Sequence, residues 1–231
     1  MLTRTVRRAM FISSLCLALA PLLSARAEAT PRFLALGDSY TIGTSVEESK
    51  RWVNELVRLM RQDSVQISDP EVIAHNGWTT GDLLAALDKE KPKGPYDLIT
   101  LMIGVNNQFQ GQPIENYRKD LQALFAVATR LAGGDPRKIV VLSIPDYSVT
   151  PFAQDKDPDK IAAQVVKFNA VLLDETHRAR ARMVDITPVS RFAKVNAQLV
   201  AEDGLHPSWR LHAVWARLVY PVARPLVAKL H

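Results

Sequence analysis

Cysteine is almost missing from this chain: of 231 residues only Cys16 is one, and it lies in an N-terminal stretch that reads as a leader. A protein working without that stretch can form no disulfide and has no thiol for nucleophilic or metal chemistry. Long apolar runs are scarce too. The one candidate, Ala9 to Leu23, follows Arg4, Arg7 and Arg8 and precedes Ala25-Arg26-Ala27, small residues at the positions a signal peptidase reads. It contains two serines and a proline and is short for a bilayer span. Residues 1–27 are therefore expected to be a signal peptide cleaved near Ala27, giving a periplasmic or secreted protein with no transmembrane segment in the mature chain. The Arg7-Arg8 pair leaves twin-arginine export open beside the general route, and Leu15 before Cys16 argues against a lipoprotein.

Charge of one sign is lacking as well. The formal +5 falls close to balance once Arg4, Arg7, Arg8 and Arg26 leave with the leader, so no electrostatic footprint for nucleic acid remains. There is no P-loop, no Gly-x-Gly-x-x-Gly fingerprint and no His-x-x-x-His or Glu-x-x-His ligand set. Asp155, Asp157 and Asp159 alternate as calcium-loop ligands do, but Lys160 stands at the glycine position and Val166 at the terminal acid position. No metal is expected. With no Gly/Ser linker, no like-charge block and no repeat, residues 28–231 read as one domain.

What is present begins with Phe33-Leu-Ala-Leu-Gly37-Asp38-Ser39, an apolar run of strand length that stops at a glycine and delivers a hydroxyl. Gly-Asp-Ser by itself is also ordinary turn chemistry. Downstream, Trp52, Val53, Leu56, Leu59 and Met60 recur at helical spacing within Glu47 to Arg61. Val65, Ile67 and Val72 to Ala74 have strand character, and Thr79 with Asp82 opens a helix over about Thr80 to Lys89. Asp97 to Ile103 is a third strand, and Pro113 opens a helix that Gly133-Gly134-Asp135-Pro136 stops. Ile139 to Ile144 is a fourth strand, Pro158 to Ala181 a helix, Met183 to Ile186 a short fifth strand, and Pro207 to Tyr220 a closing helix. Strands alternating with helices predict an α/β fold: a five-stranded, mostly parallel sheet with helices on both faces.

Polar clusters follow the strands: Ser39, Asn76-Gly77, Asn106-Asn107, and Asp203-Gly-Leu-His206-Pro207 after the last. In a parallel sheet such ends lie along one rim. A serine hydroxyl needs a base, and the base needs an acid to hold its tautomer; His206 and Asp203 can supply both from one turn. Asp203 as a helix cap and His206 as an incidental loop histidine is the plainer alternative. Of the other histidines, His177 sits in a charged helix, His212 inside the last helix, and His231 at the terminus; His75, at a strand end, is the serious rival. Attack on an ester creates an oxyanion, for which the Ser39 N–H, the Gly77 N–H and the Asn106 amide are candidate donors. Gly77 as a turn residue and Asn106 as a cap remain open. Trp78 and Tyr40 flank these residues and could line a pocket, and the connections 108–112 and 148–159 leave the same rim.

Together these segments resemble the SGNH hydrolases, also called GDSL esterases and lipases. Gly37-Asp38-Ser39-Tyr40 matches the nucleophile block, Gly77 the glycine block, Gly104-Val105-Asn106 the asparagine block, and Asp203-Gly-Leu-His206-Pro207 the acid–base block, in family order. The resemblance implies a three-layer flavodoxin-like α/β/α sandwich, a Ser39-His206-Asp203 triad, and an oxyanion hole from Ser39, Gly77 and Asn106. It implies neither metal nor organic cofactor, and an ester as small-molecule substrate, expected with a short to medium acyl chain. Lysophospholipids, acyl thioesters and acetylated carbohydrates are alternative substrates, and a non-catalytic ligand-binding protein of the cell envelope is the alternative of a different class. Two positions depart from the pattern: Asn107 stands where a second acid is usual, and Tyr40 where leucine is common.

Overall fold

The computed structural model describes residues 29–228; the expected signal peptide and His231 lie outside the described residues. In chain order the elements are β1 (Phe33–Gly37), α1 (Ser39–Ile42), α2 (Trp52–Gln62), β2 (Pro70–Ala74), α3 (Thr80–Glu90), β3 (Leu98–Met102) and α4 (Val105–Phe109). They continue with α5 (Ile114–Leu131), β4 (Ile139–Leu142), α6 (Pro158–Arg178), β5 (Arg182–Val184), α7 (Thr187–Ser190) and α8 (Trp209–Val227). The five strands form one sheet in the order β2-β1-β3-β4-β5, with every pairing parallel.

The order explains the layers. From β1 the chain steps one way to β2 and then crosses back the other way to β3, β4 and β5, so right-handed crossovers put α2 on one face and α3, α5 and α6 on the other. α8 returns to pack along α2, while α5 lies between α3 and α6. The central strands β1, β3 and β4 are buried along their full length, as near-continuous apolar strands covered on both faces should be.

Both edge strands and the last helix differ from the sequence reading. Val65 and Ile67 are buried but belong to the connection, held where the Arg61 guanidinium donates to the Ile67 carbonyl at 2.8 Å, and β2 begins only at Pro70. A proline opening an edge strand costs no ladder bond. The fifth strand ends at Val184 rather than Ile186. The first crossover helix starts at Trp52 instead of Glu47, because Arg51 is extended and a one-turn 3-10 segment, Glu48–Lys50, precedes it. Its opening N–H, on Trp52, donates to His212 Nδ1 of α8 at 3.0 Å.

The closing helix runs on through Pro221 and Pro225 to Val227. A proline inside a helix removes one bond and frees the carbonyl four residues back. Here Arg217, Pro221 and Pro225 are all exposed, four residues apart on one face, so the carbonyls freed at Arg217 and Pro221 meet water. The apolar stripe, with Trp215, Val219 and Ala223 fully buried, is undisturbed. Among the described residues no helix is long and apolar enough to cross a membrane.

Candidate active site

The rim beyond the carboxyl ends of β1 and β3 is where the chain reverses its direction across the sheet, the usual crevice of an open α/β fold. Gly37 closes β1. A Cβ there would stand 2.1 Å from Thr41 Oγ1 and 2.5 Å from the Met102 carbonyl oxygen, so only glycine lets α1 fold back this tightly against β1 and β3. Asp38 caps α1 by accepting from the Tyr40 N–H at 3.0 Å, which puts Ser39 at the first position of a one-turn helix. Ser39 is 6% exposed.

Asp38 is itself buried, and that burial pushes its carboxyl up to about 7 against the pull of the backbone N–H groups it accepts from. A folded-state value above the unfolded one means that the native protein keeps a proton which the unfolded chain has released, so stability falls as pH rises from about 4 to about 7. Asp38→Asn keeps the cap acceptor and removes the charge. Its thermal midpoint is expected to match the unmodified protein near pH 4 and to exceed it at pH 8; a gap that is the same at both pH values would contradict this.

Gly77 follows β2 with φ of +79°, a conformation that L side chains rarely adopt, and nothing lies within 4 Å of where its Cβ would be. Backbone angle, not crowding, is what asks for glycine here. Asn106 stands in the first turn of α4 and gives one amide hydrogen to the Trp78 carbonyl at 2.9 Å, leaving the other available to the cleft. The neighbouring Asn107, fully buried, accepts from the Thr80 N–H at 3.0 Å and donates to Thr80 Oγ1 and Gln112 Oε1, each at 2.8 Å. An amide can accept and donate at once, so Asn107 ties the start of α3 to α4, with no buried charge.

Asp203 and His206 come together in the loop before α8. The Asp203 Oδ2 lies 2.7 Å from His206 Nδ1, and Oδ1 accepts from the backbone N–H groups of Leu205 and His206, each at 2.9 Å. Ser45 adds a fourth donor, its hydroxyl 2.6 Å from Oδ2. Partial burial works against ionisation of Asp203, but the bonds from Ser45, from the Leu205 and His206 N–H groups and from the His206 ring outweigh it and hold the carboxyl well below the usual carboxylate range. An ionised acceptor at Nδ1 requires the hydrogen there, which leaves Nε2 as the lone-pair nitrogen. The Tyr40 ring meets the His206 ring edge-on, with centroids 5.5 Å apart.

Ser39, Gly77, Asn106 and His206 all line one cavity of about 360 Å³. Four residues from distant parts of the sequence thus share a single space of a size suited to a small ligand. Val105, Phe109, Tyr147, Phe152 and Leu205 supply most of its apolar wall. The rival histidines stand elsewhere. His75 is exposed, with Nδ1 3.0 Å from the Asn76 carbonyl oxygen and its ring tilted against Trp78; His177 is exposed on α6. His212 is fully buried and spends Nδ1 on the Trp52 N–H; burial, then the nearby Arg51 and His206 charges, push it down to about 3.

Tyr40, one of the two aromatics named as possible lining, does line the cavity, and Trp78 does not; sequence reasoning did not find Ser45, Thr44, whose hydroxyl donates to Asn76 Oδ1 at 2.6 Å, or the cleft aromatics Phe109, Tyr147 and Phe152. The only signal for Ser45 and Thr44 was adjacency to the Ser39 turn; for Phe109 and Phe152 it was aromatic side chains on the connections that leave the rim. Asp157 caps α6 by accepting from the Lys160 N–H at 3.0 Å. Among the described residues no group of three His, Cys, Asp or Glu side chains could hold a metal ion.

No curated protein matches the chain. Its structure is similar to a lipase/acylhydrolase from Enterococcus faecalis, at 18% identity and a TM-score of 0.66 over 87% of this chain and 100% of that one. It is similar also to the acetylxylan esterase Axe2 from Geobacillus stearothermophilus, at 19% identity and a TM-score of 0.62 over 87% of this chain and 97% of the other. A member of the lipolytic protein G-D-S-L family from Veillonella parvula DSM 2008 gives 20% identity and a TM-score of 0.61 over 87% of this chain and all of its own. At such identities these likenesses speak for the fold. The sequence profile of the GDSL-like lipase/acylhydrolase family matches residues 35–214, from the first strand into the second turn of the last helix, and the chain belongs to that family.

Proposed function

We propose that this chain is an exported serine esterase that cleaves carboxylic esters of short to medium acyl chain through an acyl-enzyme. The observation that carries the reading is the shared cavity: a hydroxyl, an imidazole held by an ionised carboxylate, and two further hydrogen-bond donors open onto one mostly apolar space.

Ser39 Oγ attacks the ester carbonyl while His206 Nε2 takes its proton, forming a tetrahedral intermediate. The N–H groups of Ser39 and Gly77 and the free amide hydrogen of Asn106 hold its oxyanion; in a dry site such donors together lower the barrier by several kcal/mol. Collapse expels the alcohol, which receives the proton from His206, and leaves an ester on Ser39. Water, deprotonated by His206, then attacks that ester and releases the acid and the free serine. Asp203 stays ionised throughout, fixing the tautomer and stabilising the imidazolium. The step uses only this chain's own side chains and water. The working protein is residues 28–231 after removal of the leader, in keeping with the N-terminal pattern of Arg4 to Ala27.

Hydrolysis of p-nitrophenyl esters from acetate to palmitate tests the substrate class. The cavity size and the Val105, Phe109 and Phe152 wall predict a kcat/KM maximum at short to medium chains with a steep fall towards palmitate. An optimum at palmitate would replace this with a lipase-like reading. Acetate alone, joined by deacetylation of acetylated sugars, would favour a carbohydrate acetylesterase. No turnover across the series, together with no labelling of Ser39 by a fluorophosphonate, would overturn the esterase and favour a binding protein.

A further inference from the structure

We propose that Thr44 and Ser45 form a clamp that positions both halves of the catalytic site, Ser45 seating the acid–base pair and Thr44 the oxyanion loop; this rests on the serine-esterase reading above. Neither residue belongs to the four sequence blocks that carry the chemistry, and neither lines the cavity.

The geometry is that of a short bracket built on the nucleophile's own backbone. The Ser39 carbonyl accepts from the N–H groups of Gly43 and Thr44, at 3.0 and 3.1 Å, so the turn after α1 is fixed to the residue that bears the reacting hydroxyl. From it two successive side chains reach different loops: Thr44 Oγ1 donates to Asn76 Oδ1, next to Gly77, and Ser45 Oγ donates to Asp203 Oδ2, both at 2.6 Å. The other three donors to Asp203 come from its own loop, residues 203–206. Ser45 is thus the donor that connects that carboxylate to the nucleophile segment.

Ser45 adopts φ of +65°, where glycine would be at ease and a serine is strained. Strain of this kind persists where the surroundings over-determine a residue, and here the hydroxyl has a short bond that glycine could not make. Ser45 also shares Oδ2 with the His206 ring hydrogen. Its bond draws charge from that oxygen, so removing it leaves Oδ2 to the ring alone and favours the imidazolium. The titratable groups around His206 are Asp203 in its own loop, Tyr40 from α1, Asp146 and Tyr147 from the connection after β4, and His212 from α8; neither Thr44 nor Ser45 adds another.

The test uses the full chain, after Ser39-dependent hydrolysis of p-nitrophenyl acetate has been established for it. Ser45→Gly deletes the hydroxyl and accepts the backbone angle, so its thermal midpoint is expected to hold or rise. Its kcat should fall by about 10- to 100-fold with KM unchanged, and the acid limb of its kcat/KM profile should move roughly half a pH unit upward. Ser45→Thr keeps the hydroxyl at a strained angle and should show the reverse: a lower thermal midpoint with the acid limb in place. Thr44→Val should lower kcat without moving that limb, because the base keeps all its partners. Profiles and kcat of Ser45→Gly superimposing on the unmodified protein would overturn the Ser45 half, and an unchanged kcat in Thr44→Val the other. Lack of Ser39-dependent turnover in the unmodified chain would instead bring down the esterase reading, and the clamp with it.

Discussion

Ser39→Ala is expected to lower kcat/KM on p-nitrophenyl esters by at least about 10⁴-fold, a barrier increase of roughly 5.5 kcal/mol, and to abolish labelling by a fluorophosphonate. The residual rate would come from the oxyanion donors and from binding, which survive the change. The fold should survive as well. Ser39 is almost buried, yet its hydroxyl has no intramolecular bond among the described residues, and the cap of α1 is made by Asp38 rather than by Ser39. The thermal midpoint should therefore stay within about 2 °C of the unmodified protein. A variant that kept more than a tenth of the activity would show that the hydroxyl is not the nucleophile. A variant that lost activity by unfolding would show a collapsed midpoint, so the two failures are separable.

Asp203→Asn is expected to cost about 10³- to 10⁴-fold in kcat, by way of the tautomer. Four donors converge on the two oxygens of Asp203, and an asparagine offers an acceptor to only one pair of them. If its oxygen satisfies the Leu205 and His206 N–H groups, its NH₂ faces His206 Nδ1 and drives the ring hydrogen to Nε2, where a base is needed. Stability responds too, and the sign can be worked out. A carboxyl held below its unfolded value contributes stability above about pH 4, and that contribution is lost as pH falls from there towards the folded value. The difference in thermal midpoint between Asp203 and its asparagine variant should then be largest near neutrality and shrink at pH 3. A full rate in the variant, or a gap that widens on acidification, would contradict the assigned role.

Much of this architecture is legible in the sequence because each signal is local. The runs Phe33 to Gly37, Leu98 to Met102 and Ile139 to Leu142 are apolar without a break because those strands are covered on both faces. β2 and β5 sit at the edges, bury little, and so lack a continuous apolar signature, and their boundaries shifted; the buried β4 also stops two residues early, at Leu142 rather than Ile144. Pro221 looks like a stop, and would be one on a buried face; only the exposure of Arg217, Pro221 and Pro225 along one line shows why α8 continues. In the same way Ser39, Gly77 and Asn106 are visible as residues in polar clusters that follow strands, a pattern of neighbours in the chain, and His206 is visible through Asp203 in the same turn, although α7 separates it from β5. Ser45 holding Asp203, Thr44 holding Asn76, and Asn107 holding Thr80 are meetings of segments far apart in the chain, and their residue types carry no mark of it. Asn107 shows the limit well. The usual acid at that position suggests a missing charge, whereas the structure has a fully satisfied amide in its place.

The order in which the groups occur along the chain sets the moment at which they can act. The hydroxyl arrives with the first strand, whereas the imidazole and its carboxylate come only in the loop before the last helix, and that helix docks against α2 through the Trp52–His212 bond. If His206 is the base we propose, a ribosome-bound chain that has not yet released residues 203–206 carries a serine with no base, however well its early strands have formed. On the proposed serine-esterase reading, synthesis would then act as a time delay, keeping the hydroxyl inert until nearly all of the chain is available to fold.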